Sequence, residues 1–102
     1  VEVIIEPNTH QRLMECRPTT DAALRLAALH EGCGCGATLL YEMNWDLPQP
    51  DDLRQEVGSI TVVVDRESAL YFDSTLQVEH LPDANGFSLK SANQIYLSNT
   101  AL

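Results

Sequence analysis

The chain has 102 residues, 44% of them hydrophobic, with 15 Asp and Glu against 6 Lys and Arg for a formal net charge of −9. That length holds one domain, residues 1–102, able to bury roughly 60–65% of its unfolded surface, and its apolar residues recur too evenly for a disordered chain. The acidic balance excludes nucleic acid and anionic membrane as primary partners, and no stretch approaches the ~20 apolar residues of a membrane span.

The sequence opens at Val1 with no signal-peptide pattern. Val1, Val3 and Ile5 alternate with Glu2, Ile4 and Glu6, the period of a strand. Pro7-Asn8-Thr9 stops it, and Asn8 with Gln11 three residues on resembles an N-cap and capping box. A short helix to about Cys16 would bury Leu13 and Met14, and Pro18 ends it. Residues 20–32 are ambiguous. Thr20 as a cap, a run of Ala, Leu and Arg, and Gly32 at the end read as a helix, yet Leu24, Leu26 and Ala28 also line one face of a strand.

Ala37, Leu39, Tyr41, Met43 and Trp45 alternate with Thr38, Leu40, Glu42, Asn44 and Asp46 over ten residues, which predicts a half-buried strand. Leu47 to Asp52, with two prolines and two acids after Leu47, is a loop. The β-branched run Ile60-Thr61-Val62-Val63-Val64 predicts a central strand, and Asp65 to Ser68 opens one helical turn before Leu70, Tyr71 and Phe72. Leu76 to His80 and Phe87 to Lys90 alternate on either side of Pro82-Asp83-Ala84-Asn85-Gly86, an antiparallel hairpin. After Ser91 the tail has no clear period.

The segment that composition does not explain is Gly32-Cys33-Gly34-Cys35-Gly36. Five residues with no side chain larger than a thiol cannot be there for packing. Gly34 between the two cysteines bends freely, so both thiols can turn toward one metal, and the surrounding backbone N–H groups can donate to sulfur. For one cysteine a small buried hydrophobe is the simpler reading; two in a glycine frame favour metal or thiol chemistry. Cys-x-Cys lacks the second pair of a zinc site.

Other candidates are weaker. Cys16, beside Arg17 at a helix end, reads as a partly buried spectator thiol. His30 and Glu31 precede the loop and could supply a third ligand or orient one, although a surface pair at a strand end is slightly favoured. His10 and His80 have no sequence-local partner, and Tyr41, Met43 and Trp45 read as core. No nucleophile elbow, P-loop, dinucleotide-binding glycine pattern or HExxH motif occurs, so the expectation is a protein that is not an enzyme.

Several separated motifs carry a family resemblance. They are Leu24-Arg25-Leu26 leading into Gly32-Cys33, Pro50-Asp51-Asp52, Val62-Val63-Val64-Asp65 with Ser68, and Gly86-Phe87-Ser88-Leu89-Lys90-Ser91-Ala92-Asn93. In this order and spacing the chain resembles the HesB-like family of iron–sulfur cluster biosynthesis, relatives of the A-type carriers. Within it the chain is most similar to a branch of small cytoplasmic bacterial proteins with a Gly-Cys-Gly-Cys loop. The resemblance implies a mostly β (α+β) fold, two small mixed sheets packed together with one or two short helices. It also implies that residues 22–30 form a strand against their local propensity.

Family carriers use one loop cysteine, matched by Cys33, and a Cys-Gly-Cys near the C-terminus. The tail from Gln94 to Leu102 has no cysteine, and Cys35 belongs to the nearer branch. The expectation is therefore an iron or iron–sulfur cluster binding protein, a scaffold or carrier with Cys33 and Cys35 as ligands. A symmetric homodimer would supply four thiolates, apo iron–sulfur target proteins would receive the cargo, and the compartment would be the cytoplasm. Two rival expectations are a thiol-redox or zinc-binding module using Cys33 and Cys35, and a degenerate family member acting as a metal-free interaction module.

Overall fold

Val3 and Leu76 are parallel strand partners, and both are buried where the first strand meets the middle of the chain. The structure, a computed structural model, describes residues 1–32 and 37–102, with positions 31, 32 and 37 through their backbone. Strand β1 (Glu2–Ile5) leads into helix α1 (Pro7–Cys16), followed by β2 (Ala23–Gly32) and β3 (Ala37–Asp46). Then come β4 (Leu53–Val57), β5 (Ile60–Val64), the single turn α2 (Arg66–Ala69), β6 (Thr75–Leu81), β7 (Gly86–Lys90) and β8 (Ile95–Thr100).

Two four-stranded sheets result, ordered β1-β6-β7-β8 and β3-β2-β5-β4. Each is mixed, with one parallel pair, β1 on β6 and β2 on β5, among antiparallel ones. Their inner faces share one core containing Val3, Leu24, Leu26, Met43, Ile60, Val62, Leu76, Val78, Phe87 and Leu89. Helix α1 adds Leu13, which is wholly buried, while Met14 packs at the margin.

Residues 23–32 are a strand, as the family resemblance implied and local propensity opposed. In a helix Leu24 and Ala28, four residues apart, would share a face and Leu26 would point away from it; in a strand all three share one face. That face is buried at all three positions, and burying a leucine side chain contributes about 1.5–3 kcal/mol, more than the propensity it overrides. Pairing secures both flanks: β3 runs along β2 for ten residues, and β5 lies parallel on the other side from Leu24↔Val62 to Leu26↔Val64.

The strand at 37–46, the central strand at 60–64, the helical turn after Asp65 and the hairpin between β6 and β7 all form as the sequence predicts. Met43 is fully buried; Tyr41 and Trp45 are partly buried against the same core. One expectation about these elements fails. Asn8 is not the cap of α1: Glu6 is, with no side-chain hydrogen bond, and Pro7 occupies the first helical turn, where its missing N–H costs nothing. The tail, where the sequence shows no clear period, forms β8, and residues 53–57, to which the sequence assigned no element, form β4. Both are short sheet edges: β4 alternates between half-buried and exposed positions without a fully buried one, and β8 buries only Tyr96.

Candidate functional site

The antiparallel ladder between β2 and β3 closes at Gly32↔Ala37. The four residues Cys33-Gly34-Cys35-Gly36 connect these two strand ends. Cys33 and Cys35, and with them the expectation that their thiols lie near the surface, fall outside the described residues. What the structure describes is the platform that carries the connection.

That platform begins where β5 ends. Past Leu26↔Val64 the chain of β5 leaves the sheet, so residues 27–32 of β2 keep only β3 as a strand partner. Helix α2 takes the vacated flank. The Ser68 hydroxyl accepts a hydrogen bond from Ala28 N–H at 3.0 Å and donates one to Ala28 C=O at 3.3 Å. Asp65 caps the same turn, accepting from Ser68 N–H at 3.0 Å. Burial pushes the Asp65 carboxyl up, but its hydrogen bonds with Ser68 outweigh this and hold it below the usual value.

One step nearer the loop, His30 takes up Tyr71. Its Nε2 lies 2.7 Å from the Tyr71 hydroxyl, and the rings meet edge to face with centroids 4.8 Å apart. Ser68 and Tyr71 thus bind successive positions on one face of β2, Ala28 and His30, where β5 no longer runs beside it. The opposite face of the ribbon carries Leu29 and Leu40 directly across from each other, both largely exposed.

The base of the ribbon is held by charge. The Arg25 guanidinium forms a two-pronged pair with Asp52, Nη1 to Oδ1 at 3.0 Å and Nη2 to Oδ2 at 2.6 Å, while its Nε donates to Asp46 at 2.7 Å. Asp52 is almost wholly buried and also accepts from Gln49 N–H, which folds the 47–52 loop onto β2. This pair accounts for two of the resemblance motifs, Leu24-Arg25-Leu26 and Pro50-Asp51-Asp52: they are the two halves of one clamp.

The C-terminal motif has a structural role too. Ser91 and Asn93 donate to Asp73, and Tyr96 accepts from Asp73 N–H at 2.9 Å. The hydrogen bond from Ser91, more than any other cause, holds the Asp73 carboxyl below its usual value. Tyr96 then packs edge to face on both Tyr41 and Phe72. Residues 95–100 of the tail are β8, a sheet strand without a cysteine.

Among the remaining candidates, Cys16 is exposed rather than partly buried, because α1 ends there and its thiol lies beyond the buried Leu13 face. It lines an open cavity of about 350 Å³ with Arg12, Glu15, His80 and Phe87. His10 accepts from Ser59 N–H at 3.3 Å, and the His80 ring rests on Phe87. Among the described residues no three His, Cys, Asp or Glu side chains gather as a metal site, and no helix is long and apolar enough to cross a membrane. Sequence reasoning missed Tyr71, whose only signal was its place after Ser68.

The chain belongs to the iron–sulphur cluster biosynthesis family, whose model matches residues 1–102, and its role is in iron–sulfur cluster assembly. No curated protein matches it significantly. Its fold matches the crystal structure of Escherichia coli SufA, described as involved in biosynthesis of iron–sulfur clusters, with a TM-score of 0.58. That match has 18% sequence identity and covers 91% of this chain and 85% of SufA.

Proposed function

We propose that the protein is a non-enzymatic carrier of iron or an iron–sulfur cluster, held by the thiolates of Cys33 and Cys35. The observation that carries this reading is the position of the Gly-Cys-Gly-Cys-Gly run. In a member of a cluster-biosynthesis family, it joins the ends of a ten-pair ribbon whose inner face is braced by Ser68 and Tyr71. The donor set fits the cargo, since thiolates are the usual protein ligands of iron–sulfur clusters.

A [2Fe–2S] cluster takes four protein ligands, and each chain offers two loop thiols, so a symmetric homodimer supplies the set. Release to an apo iron–sulfur protein proceeds by ligand exchange: an incoming thiolate binds iron as the thiolate of Cys33 or Cys35 leaves and takes up a proton. Reduced thiols of this kind suit the cytoplasm.

The test is anaerobic reconstitution with ferrous iron and sulfide, followed by the visible spectrum and iron-to-protein ratio. Sulfur-to-iron charge-transfer bands in the wild type, absent after Cys33→Ser with Cys35→Ser, support the carrier. A colourless zinc protein, or one that takes no metal while Cys33 and Cys35 cycle between dithiol and disulfide, replaces it with the thiol-redox or zinc reading.

A further inference from the structure

Four strands border the two sheets, β1 and β8 in one, β3 and β4 in the other, and three of them carry features that discourage a further strand. Gln55 of β4 reaches β1, where its side chain accepts from Val3 N–H at 2.7 Å and donates to Val3 C=O at 3.0 Å. A side chain thus closes the edge of β1, and β4 itself is only five residues long. β8 shifts register twice against β7, and irregular or very short edges pair poorly with another strand.

β3 has none of these features. It pairs one to one with β2 over all ten of its residues without a bulge, and residues 37–46 contain no Pro, Gly, Lys or Arg. Its core-facing positions Leu39, Tyr41, Met43 and Trp45 carry no charge. An antiparallel ladder uses the backbone groups of alternate residues, so the others turn N–H and C=O to the open side. Among the described residues no backbone group outside β2 bonds to residues 38–45. A long, regular edge of this kind is a ready template for one more strand.

The side chains along the edge define what that strand must carry. On the outward face Leu40, 40% exposed, lies directly across from Leu29, 43% exposed, and the exposed Glu42 follows two residues on. Among the described residues no cation pairs with Glu42, and Arg25 on the same face is already held by Asp46 and Asp52. On the inward face Leu39 and Tyr41 are half-buried at the margin of the core. Cross-strand pairing favours a cation opposite Glu42 and apolar side chains opposite Leu39, Leu40 and Tyr41. A second copy offers no such cation: β3 carries only acids, and two chains of net charge −9 repel each other.

We infer that the open edge of β3 docks an extended segment of another protein by antiparallel strand addition, with a Lys or Arg of that segment opposite Glu42 and apolar residues opposite Leu39, Leu40 and Tyr41. Main-chain hydrogen bonds supply the affinity, and the side-chain pattern selects the partner. Neither Cys33 nor Cys35 takes part, so this docking goes beyond the carrier reading and holds for the metal-free protein.

The probe is a capped synthetic peptide, Ser-Lys-Val-Val-Val-Ser, titrated into the ¹⁵N-labelled, metal-free full chain. Saturable shifts and slowed amide exchange are expected at alternate residues between 38 and 45, with the amides of β6 and β7 unmoved. N-methylation of one alternate set of peptide amides is expected to abolish binding and methylation of the other set to be tolerated, because only one side of an added strand faces β3. Glu42 is exposed, so Glu42→Lys leaves the fold intact and is expected to weaken the peptide roughly 5-fold or more. A peptide with Glu in place of Lys is expected to bind Glu42→Lys more tightly than the wild type.

Shifts that miss β3, binding indifferent to which amides are methylated, or an affinity unchanged by Glu42→Lys overturns the inference. Amides of β3 that are protected without peptide, and more so as protein concentration rises, overturn it as well and assign the edge to a second copy.

Discussion

Ser68 satisfies both backbone groups of Ala28, forty residues away, with one hydroxyl. A parallel strand would ordinarily provide that donor and acceptor, but β5 ends at Val64 and the side chain stands in for it. The substitution matters because Ala28 and Ser68 are both buried and water cannot replace the lost partner.

Ser68→Ala is therefore expected to cost about 2 kcal/mol, the penalty for leaving a buried donor and acceptor unpaired. The urea midpoint measures the loss. Hydrogen exchange at the Ala28 amide tests its origin, since protection should fall there more than at Leu24, which is paired on both sides.

The clamp between Arg25 and Asp52 predicts a pH dependence. The hydrogen bond from Arg25 is the main reason the Asp52 carboxyl sits below its ordinary 3.8, outweighing a burial effect in the other direction. A folded-state pKa below the unfolded one adds stability that is fully present above the unfolded value and is lost as pH falls through the folded value. Urea midpoints should drop from about pH 4 downward. Asp52→Asn should cost about 2 kcal/mol at neutral pH and flatten the acid limb. The limb should not vanish, because Asp65 and Asp73 are also held low.

Gly58 turns the chain between β4 and β5 with φ of +60°, and a Cβ there would lie 2.7 Å from His10 Nε2. Gly58→Ala is expected to lose about 1–2 kcal/mol in left-handed backbone strain, with further cost as the His10 ring moves off Ser59 N–H. Thermal unfolding of Gly58→Ala beside His10→Ala separates the two contributions: the backbone share persists in the double variant.

Replacing Cys33 and Cys35 together with Ser is expected to abolish iron or cluster binding and to cost no more than about 1 kcal/mol of stability. The core is built from Leu24, Leu26, Met43, Ile60, Val62, Leu76 and Phe87, and the loop adds no large side chain to it. Cys16→Ser should bind iron as the wild type does. Circular dichroism with iron analysis checks both. A double variant that unfolds would identify the loop as a structural staple, since binding energy at a structural metal site is folding energy.

Strong periodicity made much of this protein legible from its residues. Ten residues of alternation placed β3 to the residue, a β-branched run placed β5 at the centre of its sheet, and Asn85 before Gly86 marked the β6–β7 turn, where Asn85 has φ of 51°. The Gly-Cys-Gly-Cys-Gly run was conspicuous because no packing role suits five such small residues. The order of separated motifs led to the family that the whole chain matches.

Tertiary structure alone decided the rest. Residues 23–32 have helix-forming composition, and only neighbours on both flanks and a shared buried face make them a strand. The roles of Arg25 with Asp52, Ser68 with Ala28 and Tyr71 with His30 were invisible, because their partners lie 27, 40 and 41 residues apart. A local window reports what a segment prefers on its own. Side chains that complete another strand's hydrogen bonds are defined by where β5 ends, and that depends on how the sheets assemble.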